Sequence, residues 1–351
     1  MEINKDKQPL VSIVNVTWNG KEFLKKYLPS FNNLNYPNYE VIIVDNASSD
    51  GSVDFVKKEY PEFKIIENQT NLGTAQGSNV AIEKARGKYI FWVSNDMELD
   101  AYILDHLVAV CESDANIGIC TVKMLRLKDE KHTDEIDSLG ADLDIFGFPA
   151  SRGINQKDIG QYNHSKEVFF SFGGAMFIRK KLLSLVGSFD PDYLTLADDI
   201  DLSWRVHLAG FKVVVEPKAY LYHRVSATLS KTHNRAQKRY LSERNTLRTL
   251  LKNYSLGYLF FILPGYLLVL LLEIIFFTLI AKFDIANSGV KAVRWNVGNF
   301  KDTLAKRKKV QIFRKVNDSK IIGMMLKRSE KLRLFFDFIF NRKAERWANY
   351  F

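Results

Sequence analysis

Residues 10–113 alternate short β-branched runs with helical patterns, and this alternation constrains the fold more than any other feature. Residues 10–16 (LVSIVNV), 40–44 (EVIIV), 64–66 and 88–93 (KYIFWV) read as buried strands. Helical stretches fall at about 21–34, 52–60, 75–86 and 100–113. Such alternation gives an α/β fold, a mostly parallel sheet with helices on both faces. In open sheets of this kind ligands bind beyond the carboxyl ends of the strands. The polar clusters sit at those ends: residues 17–19 after the first strand, 45–50 after the second, 95–98 after the fourth. Further on, 126–166 is polar and weakly periodic and reads as a long loop or hairpin excursion. Residues 169–178 (FFSFGGAMFI) and 212–215 read as strands, and 199–209 and 235–252 as helices.

Charge divides the chain in two. The net charge is +10, but residues 282–351 alone carry +12 and the other 281 residues −2. Before that basic tail, residues 255–281 hold a single charge, Glu273, in 27 positions. At about 1.5 Å per residue such a run can cross a hydrocarbon core about 30 Å thick. An apolar run followed by a basic segment suits an anionic bilayer and argues against nucleic acid as the partner. Three features weigh against a simple span. Pro264-Gly265 is expected to interrupt the helix. Glu273 would lie in hydrocarbon. Basic residues flank both sides, from Arg235 to Lys252 before and in the tail after, and such flanks stay on the cytoplasmic side. The expectation is a monotopic, cell-membrane attachment on the cytoplasmic face. Interfacial segments at 332–340 (LRLFFDFIF) and 347–351 (WANYF) support it. A buried core helix or a homo-oligomer interface is the soluble alternative. Residues 1–9 are polar and show no secretory leader pattern, so the catalytic part is expected in the cytoplasm. Two cysteines, Cys111 and Cys120, exclude a disulfide scaffold and a cysteine-rich zinc cluster and read as core. The division expected is 1–250 catalytic and 251–351 membrane-associated.

Four motifs carry chemistry. Residues 45–52 (DNASSDGS) form a strand end, a turn and a helix start, from which Asp45 can accept hydrogen bonds from a base or ribose; an ordinary strand-to-helix turn is the plain alternative. Residues 71–79 (NLGTAQGSN) open a helix with small residues, which suits either an approaching ligand or close helix packing. Asn95-Asp96-Met97-Glu98 follows a buried strand and offers oxygen ligands for Mg²⁺ or Mn²⁺, or else a helix N-cap. Asp198-Asp199-Ile200-Asp201 is the densest acidic cluster, where like charges raise one another's pKa and prepare a general base. His223 alone is more often a core or surface residue than a ligand.

Taken in order, residues 11–19 (VSIVNVTWN), 40–52, 71–79, Asn95-Asp96, 174–179 (GAMFIR), 187–205 (GSFDPDYLTLADDIDLSWR), 210–223 and Arg244-Asn245 resemble the family-2 glycosyltransferases of the GT-A fold, especially the rhamnosyltransferase-like branch. The resemblance covers about residues 10–250. It implies that Thr17, Asn19, Asp45, Asn46, Gly73, Asn79 and Asn95 bind the nucleotide of a nucleotide-diphosphate sugar. It implies that Asp96 holds Mg²⁺ or Mn²⁺ and that His223 completes the metal site, with Glu98 a doubtful ligand because the strict DxD pattern is absent. Asp199 matches the catalytic base, and Asp198 stands where the family has Glu. The implied reaction is an inverting displacement onto a hydroxyl of a glycan or lipid-linked glycan. Transfer to a polyprenyl phosphate and a non-catalytic sugar-nucleotide-binding relative are the alternatives. A dinucleotide-dependent oxidoreductase fails, because residues 15–20 (NVTWNG) lack the Gly-x-Gly-x-x-Gly turn.

Overall fold

The structure, a computed structural model, describes residues 8–225, 233–333 and 336. Its contacts divide the chain into two compact units. One comprises Met1–Ala141, Ser151–Val206 and Phe211–Ala227; the other comprises Asp142–Ala150, His207–Gly210 and Thr228–Phe351.

The chain runs through β1 (Val11–Thr17), α1 (Lys21–Asn32), β2 (Tyr39–Asp45), α2 (Ser52–Glu59), β3 (Lys64–Glu67), α3 (Gly73–Lys84), β4 (Tyr89–Val93), β5 (Met97–Leu99) and α4 (Ile103–Ser113). It continues through β6 (Ile117–Lys128), β7 (Lys131–Ser138), β8 (Ala141–Leu143), β9 (Pro149–Ser151), β10 (Lys166–Glu167), β11 (Ala175–Arg179), α5 (Lys180–Val186), α6 (Asp198–Leu208) and β12 (Lys212–His223). Ten strands form one sheet in the order β10-β12-β6-β11-β4-β1-β2-β3, with β5 on β12 and β7 on β6. β1, β2, β3 and β4 run parallel, as do β6 and β12, and β11 is antiparallel to both β4 and β6. Six strands therefore point one way, and their carboxyl ends share one edge.

Side chains alternate across the sheet. Val11, Ile13, Val41, Ile43 and Phe91 share one core with Leu24 and Leu28 of α1, Val56 of α2 and Leu104 and Leu107 of α4. α3 lies against β1 and β2, where Gly77 lets the helix approach Val16, 2.9 Å from where a Cβ would stand. Val16 belongs to the alternate register, so helices cover both faces.

Two elements differ from the expected ones. β12 does not stop at 215 but runs to His223, because Pro217 falls in a register shift between Glu216 and Tyr220 that spares the ladder bond a proline cannot donate. The polar excursion supplies β7, folded onto β6 by the two-residue turn Asp129-Glu130, both with positive φ.

The second unit holds α7 (Arg235–Asn253), α8 (Leu256–Leu279), α9 (Phe283–Gly298), α10 (Phe300–Phe313) and α11 (Asp318–Met324). A reciprocal Asn234–Gln237 cap starts α7. α7 is polar yet buried: Arg248 donates to Thr303 Oγ1 (2.8 Å) and Asp302 Oδ2 (2.5 Å), and the Arg244 guanidinium stands 4.6 Å from the Trp295 ring centre.

On α8, Tyr266, Leu270, Glu273 and Phe277 form one buried stripe at helical spacing. Phe260, Phe261, Leu268, Leu271, Leu272, Ile275 and Leu279 are exposed on the rest of its surface. Two expectations are corrected. Pro264 does not interrupt the helix. Proline removes one donor, while Gly265 packing on Phe146 and the Tyr266 hydroxyl bond to Glu243 Oε2 (2.7 Å) hold the following turn in place. Nor does Glu273 face outward. It is 2% exposed and pairs with Arg239 (2.6 Å) and Lys331 (3.0 Å). Lys331 also binds Glu243 (2.7 Å), closing a buried network of two acids and two bases. Of the interfacial segments expected at 332–340 and 347–351, only residues 332, 333 and 336 lie within the described residues.

Candidate active site

The parallel register sets Thr17 beside Asp45, and the Asn46 amide donates to the Thr17 carbonyl (2.9 Å). Asn95 Nδ2 donates to Thr17 Oγ1 (3.1 Å), and a Cβ on Gly20 would stand 2.3 Å from that same oxygen. The ends of β1, β2 and β4 thus converge. Asn19, at φ 47°, accepts from the Ser49 amide (2.8 Å) and ties the two loops together. Asp45 is buried. Its Oδ2 accepts from the Ser48 amide (2.8 Å), and its Oδ1 finds no hydrogen-bond partner among the described residues. A buried acceptor left unpaired costs about 1–3 kcal/mol unless a ligand donates to it.

Other candidates are engaged by the chain itself. Asn46 donates to the Gly73 carbonyl (3.1 Å) and accepts from Asn68 (2.9 Å). Asn79 is bound at both ends to the Phe189 backbone (2.9 and 3.1 Å). Gly73, at φ 74°, lies where a Cβ would stand 2.8 Å from the Leu194 carbonyl oxygen, and Ala75 donates to that carbonyl (3.1 Å). The small-residue opening of α3 therefore packs closely on the 187–194 segment and anchors it.

Asp96 is not a helix cap, since Met97–Leu99 leave as β5 along β12. That pairing sets His223 opposite Met97, and His223 Nε2 stands 3.9 Å from Asp96 Oδ1. A divalent ion with ligands at about 2.1 Å separates adjacent donors by roughly 3–4 Å. One carboxylate oxygen and one imidazole nitrogen suit Mn²⁺ or Mg²⁺. Among the described residues no group of three His, Cys, Asp or Glu forms a closed cage, so the fit is to an open site completed by a ligand's oxygens. His223 Nδ1 is bound to Asp137 (2.8 Å), a residue in the polar excursion without motif context. Burial pulls the His223 pKa down, and the Asp137 bond and Asp96 charge raise it overall. Glu98 points elsewhere, to His132 (3.1 Å).

Asp198 and Asp199 open α6, and both are buried. Burial pushes both carboxyls above the usual range; the Asp198 charge adds to this at Asp199, and that of Asp201 at Asp198. Asp201 itself pairs with Arg205 (2.9 Å), whose guanidinium also binds the carbonyls of Val186, Gly187 and Ser188. Leu194, Leu196 and Ala197, just before the pair, all hold left-handed φ of 60–67°. A Cβ on Gly173 would stand 2.9 Å from Asp199 Oδ2, and the Gly174 carbonyl accepts from the Ser94 amide (2.8 Å). The Gly173-Gly174 corner thus brings the Asp199 carboxylate to the end of β4 that carries Asn95 and Asp96. In the sequence this corner is hidden inside the run 169–178, which has strand character throughout.

A sequence model of glycosyl transferase family 2 matches residues 12–186, and one of glycosyl transferase family group 2 matches residues 152–286. The chain belongs to glycosyltransferase family 2. The matches are to the family as a whole and specify no branch. Among its relatives, the poly-β-1,6-N-acetyl-D-glucosamine synthase of Staphylococcus epidermidis is 25% identical over 224 residues, 62% of this chain and 51% of that one. That of Staphylococcus aureus strain COL is 25% identical over 233 residues, 65% and 53%. The chain spans about half the length of the curated relatives it matches. Among solved structures, GalNAc-T7 with UDP, GalNAc and Mn²⁺ aligns with a TM-score of 0.59 at 16% identity, over 72% of this chain and 49% of that one. The mannosyltransferase PcManGT from Pyrobaculum calidifontis, with GDP-Man and Mn²⁺, aligns at 0.51 and 14%, over 97% and 89%. At these identities the likeness is one of fold, and it agrees with the GT-A sheet.

Proposed function

We propose that the chain is an inverting glycosyltransferase that moves a sugar from a nucleotide-diphosphate donor to a hydroxyl of a glycan or lipid-linked glycan. One observation carries the reading: the Gly173-Gly174 corner sets the Asp199 carboxylate at the strand end that bears Asp96. A proton acceptor and a cation-binding carboxylate at one edge are what such a displacement needs. Donor contacts fall to Asp45, Thr17, Asn19 and Asn95, with Asp45 Oδ1 taking a proton donor of the base. Asp199 removes the proton of the acceptor hydroxyl, and that oxygen attacks the anomeric carbon opposite the diphosphate. Asp96 and His223 would hold Mg²⁺ or Mn²⁺. When bound, the ion neutralises charge gathering on the leaving diphosphate.

The same proposal seats the helical unit on the cytoplasmic face of a membrane. α8 is long and apolar enough to cross one. One side of it is committed to the unit's own ion network and the rest is apolar and exposed, which suits a helix lying in the interface. A thermal-shift screen of nucleoside diphosphates with and without Mn²⁺ tests the donor site. A ligand at 100 times its Kd should stabilise the fold by about 2.7 kcal/mol. No stabilisation by any nucleoside diphosphate with Mn²⁺ overturns the reading.

A further inference from the structure

We propose that Asp137 is a positioning residue for His223: it fixes the imidazole tautomer and ring orientation so that Nε2 is presented to a divalent cation beside Asp96. The proposal rests on the metal reading above. An imidazole ligates only through a nitrogen that carries no proton. Asp137 Oδ2 stands 2.8 Å from His223 Nδ1, and a carboxylate can only accept. In the neutral ring Nδ1 therefore carries the hydrogen, and Nε2, 3.9 Å from Asp96 Oδ1, is the nitrogen left to offer a lone pair to a cation.

The backbone is built to bring Asp137 there. Met124 pairs with Ser138 and the next residue, Leu125, pairs with Ile136. Asp137 is thus the unmatched residue of a bulge, the device by which a strand re-aims one side chain. Its other oxygen accepts from Arg126 Nε (3.2 Å), and Arg126 is opposite His223 in the β6–β12 register. Arg126 in turn binds Glu135 (2.5 Å). Three neighbouring strands thereby hold one carboxylate, itself 6% exposed, in a single orientation toward one ring. Such outer partners of a ligating histidine typically carry a factor of about 10–100 in metal affinity.

Mn²⁺ binding to the full chain in the presence of UDP, read from the loss of the free-ion EPR signal, tests this. Asp137→Ala should weaken Mn²⁺ binding by about 10–100-fold, leave metal-free UDP binding unchanged, and add nothing further in a His223→Ala background. Asp137→Asn keeps an acceptor oxygen and should fall between Asp137→Ala and the parent; it carries the test if Asp137→Ala shows no cooperative melt. Parental Mn²⁺ affinity in Asp137→Ala, with His223→Ala impaired, overturns this inference alone. So does an undiminished loss in the His223→Ala background. Parental affinity in both single variants overturns the metal reading along with it.

Discussion

Two regions of the molecule bury acids in opposite company. At the start of α6, Asp198 and Asp199 are buried with no ion-pair partner among the described residues, and both are held above the usual carboxylate range by burial and by neighbouring negative charge. In the helical unit Glu243 is equally buried, and burial is again its largest single influence, yet Lys331 and Arg239 together pull it below the usual range. Burial sets how strongly a carboxyl responds, and its neighbours set the direction. The first arrangement leaves a group that takes up a proton near neutral pH. The second makes a fixed charge. Their effects on stability oppose each other. The aspartates favour the fold fully below the ordinary carboxylate range and lose that contribution as pH rises through their raised values. Glu243 contributes above that range, and its contribution is lost as pH falls through its lowered value.

Removing the proton acceptor should produce the largest effect. Asp199→Asn is expected to lower kcat by about 10²–10⁴ with little change in donor KM, while its melting temperature above neutral pH holds or rises. A parental rate would break the contrast at its catalytic end. Glu243→Gln should act the other way, sparing the residues at the strand ends but costing about 3–5 kcal/mol in urea unfolding, because it leaves two buried cations with one acid. A loss below about 1 kcal/mol, the scale of a surface pair, would mean the network is not a desolvated one. The smallest effect sharpens the aspartate pair itself. Asp198→Asn removes the charge that opposes ionisation of Asp199, so the acid limb of the kcat/KM profile should move to lower pH. An unmoved limb would show that burial alone sets the Asp199 value.

The parallel half of the sheet was legible because its information is local. β-branched runs end in Thr17, Asp45 and Asn95-Asp96, and the helices between them have the right length and period. The acidic pair was legible for the same reason. What escaped depends on residues far apart in sequence. Asp137 gains its meaning only from a bulge against β6 and a ring 86 positions away. β12 hid behind Pro217, which ends a strand by local rules but sits harmlessly at a register shift. Glu273 read as a charge stranded in an apolar run because Arg239 and Lys331 lie 34 and 58 positions from it. The bonds of Asn46 to Gly73 and of Asn79 to Phe189 escaped for the same reason, since their partners lie 27 and 110 positions away.

The ion network on α8 has a consequence for rotation. A uniformly apolar helix has no preferred angle about its own axis and can turn or slide at small cost. Here Arg239 and Lys331 reach Glu273 from fixed positions on the surrounding chain. A shift of one residue would swing that carboxylate by about 100° and leave desolvated cations behind, at several kcal/mol per ion. The network therefore acts as a key in a slot. It fixes which way Phe260, Phe261 and Leu279 face, so whatever surface α8 meets is met at a single azimuth.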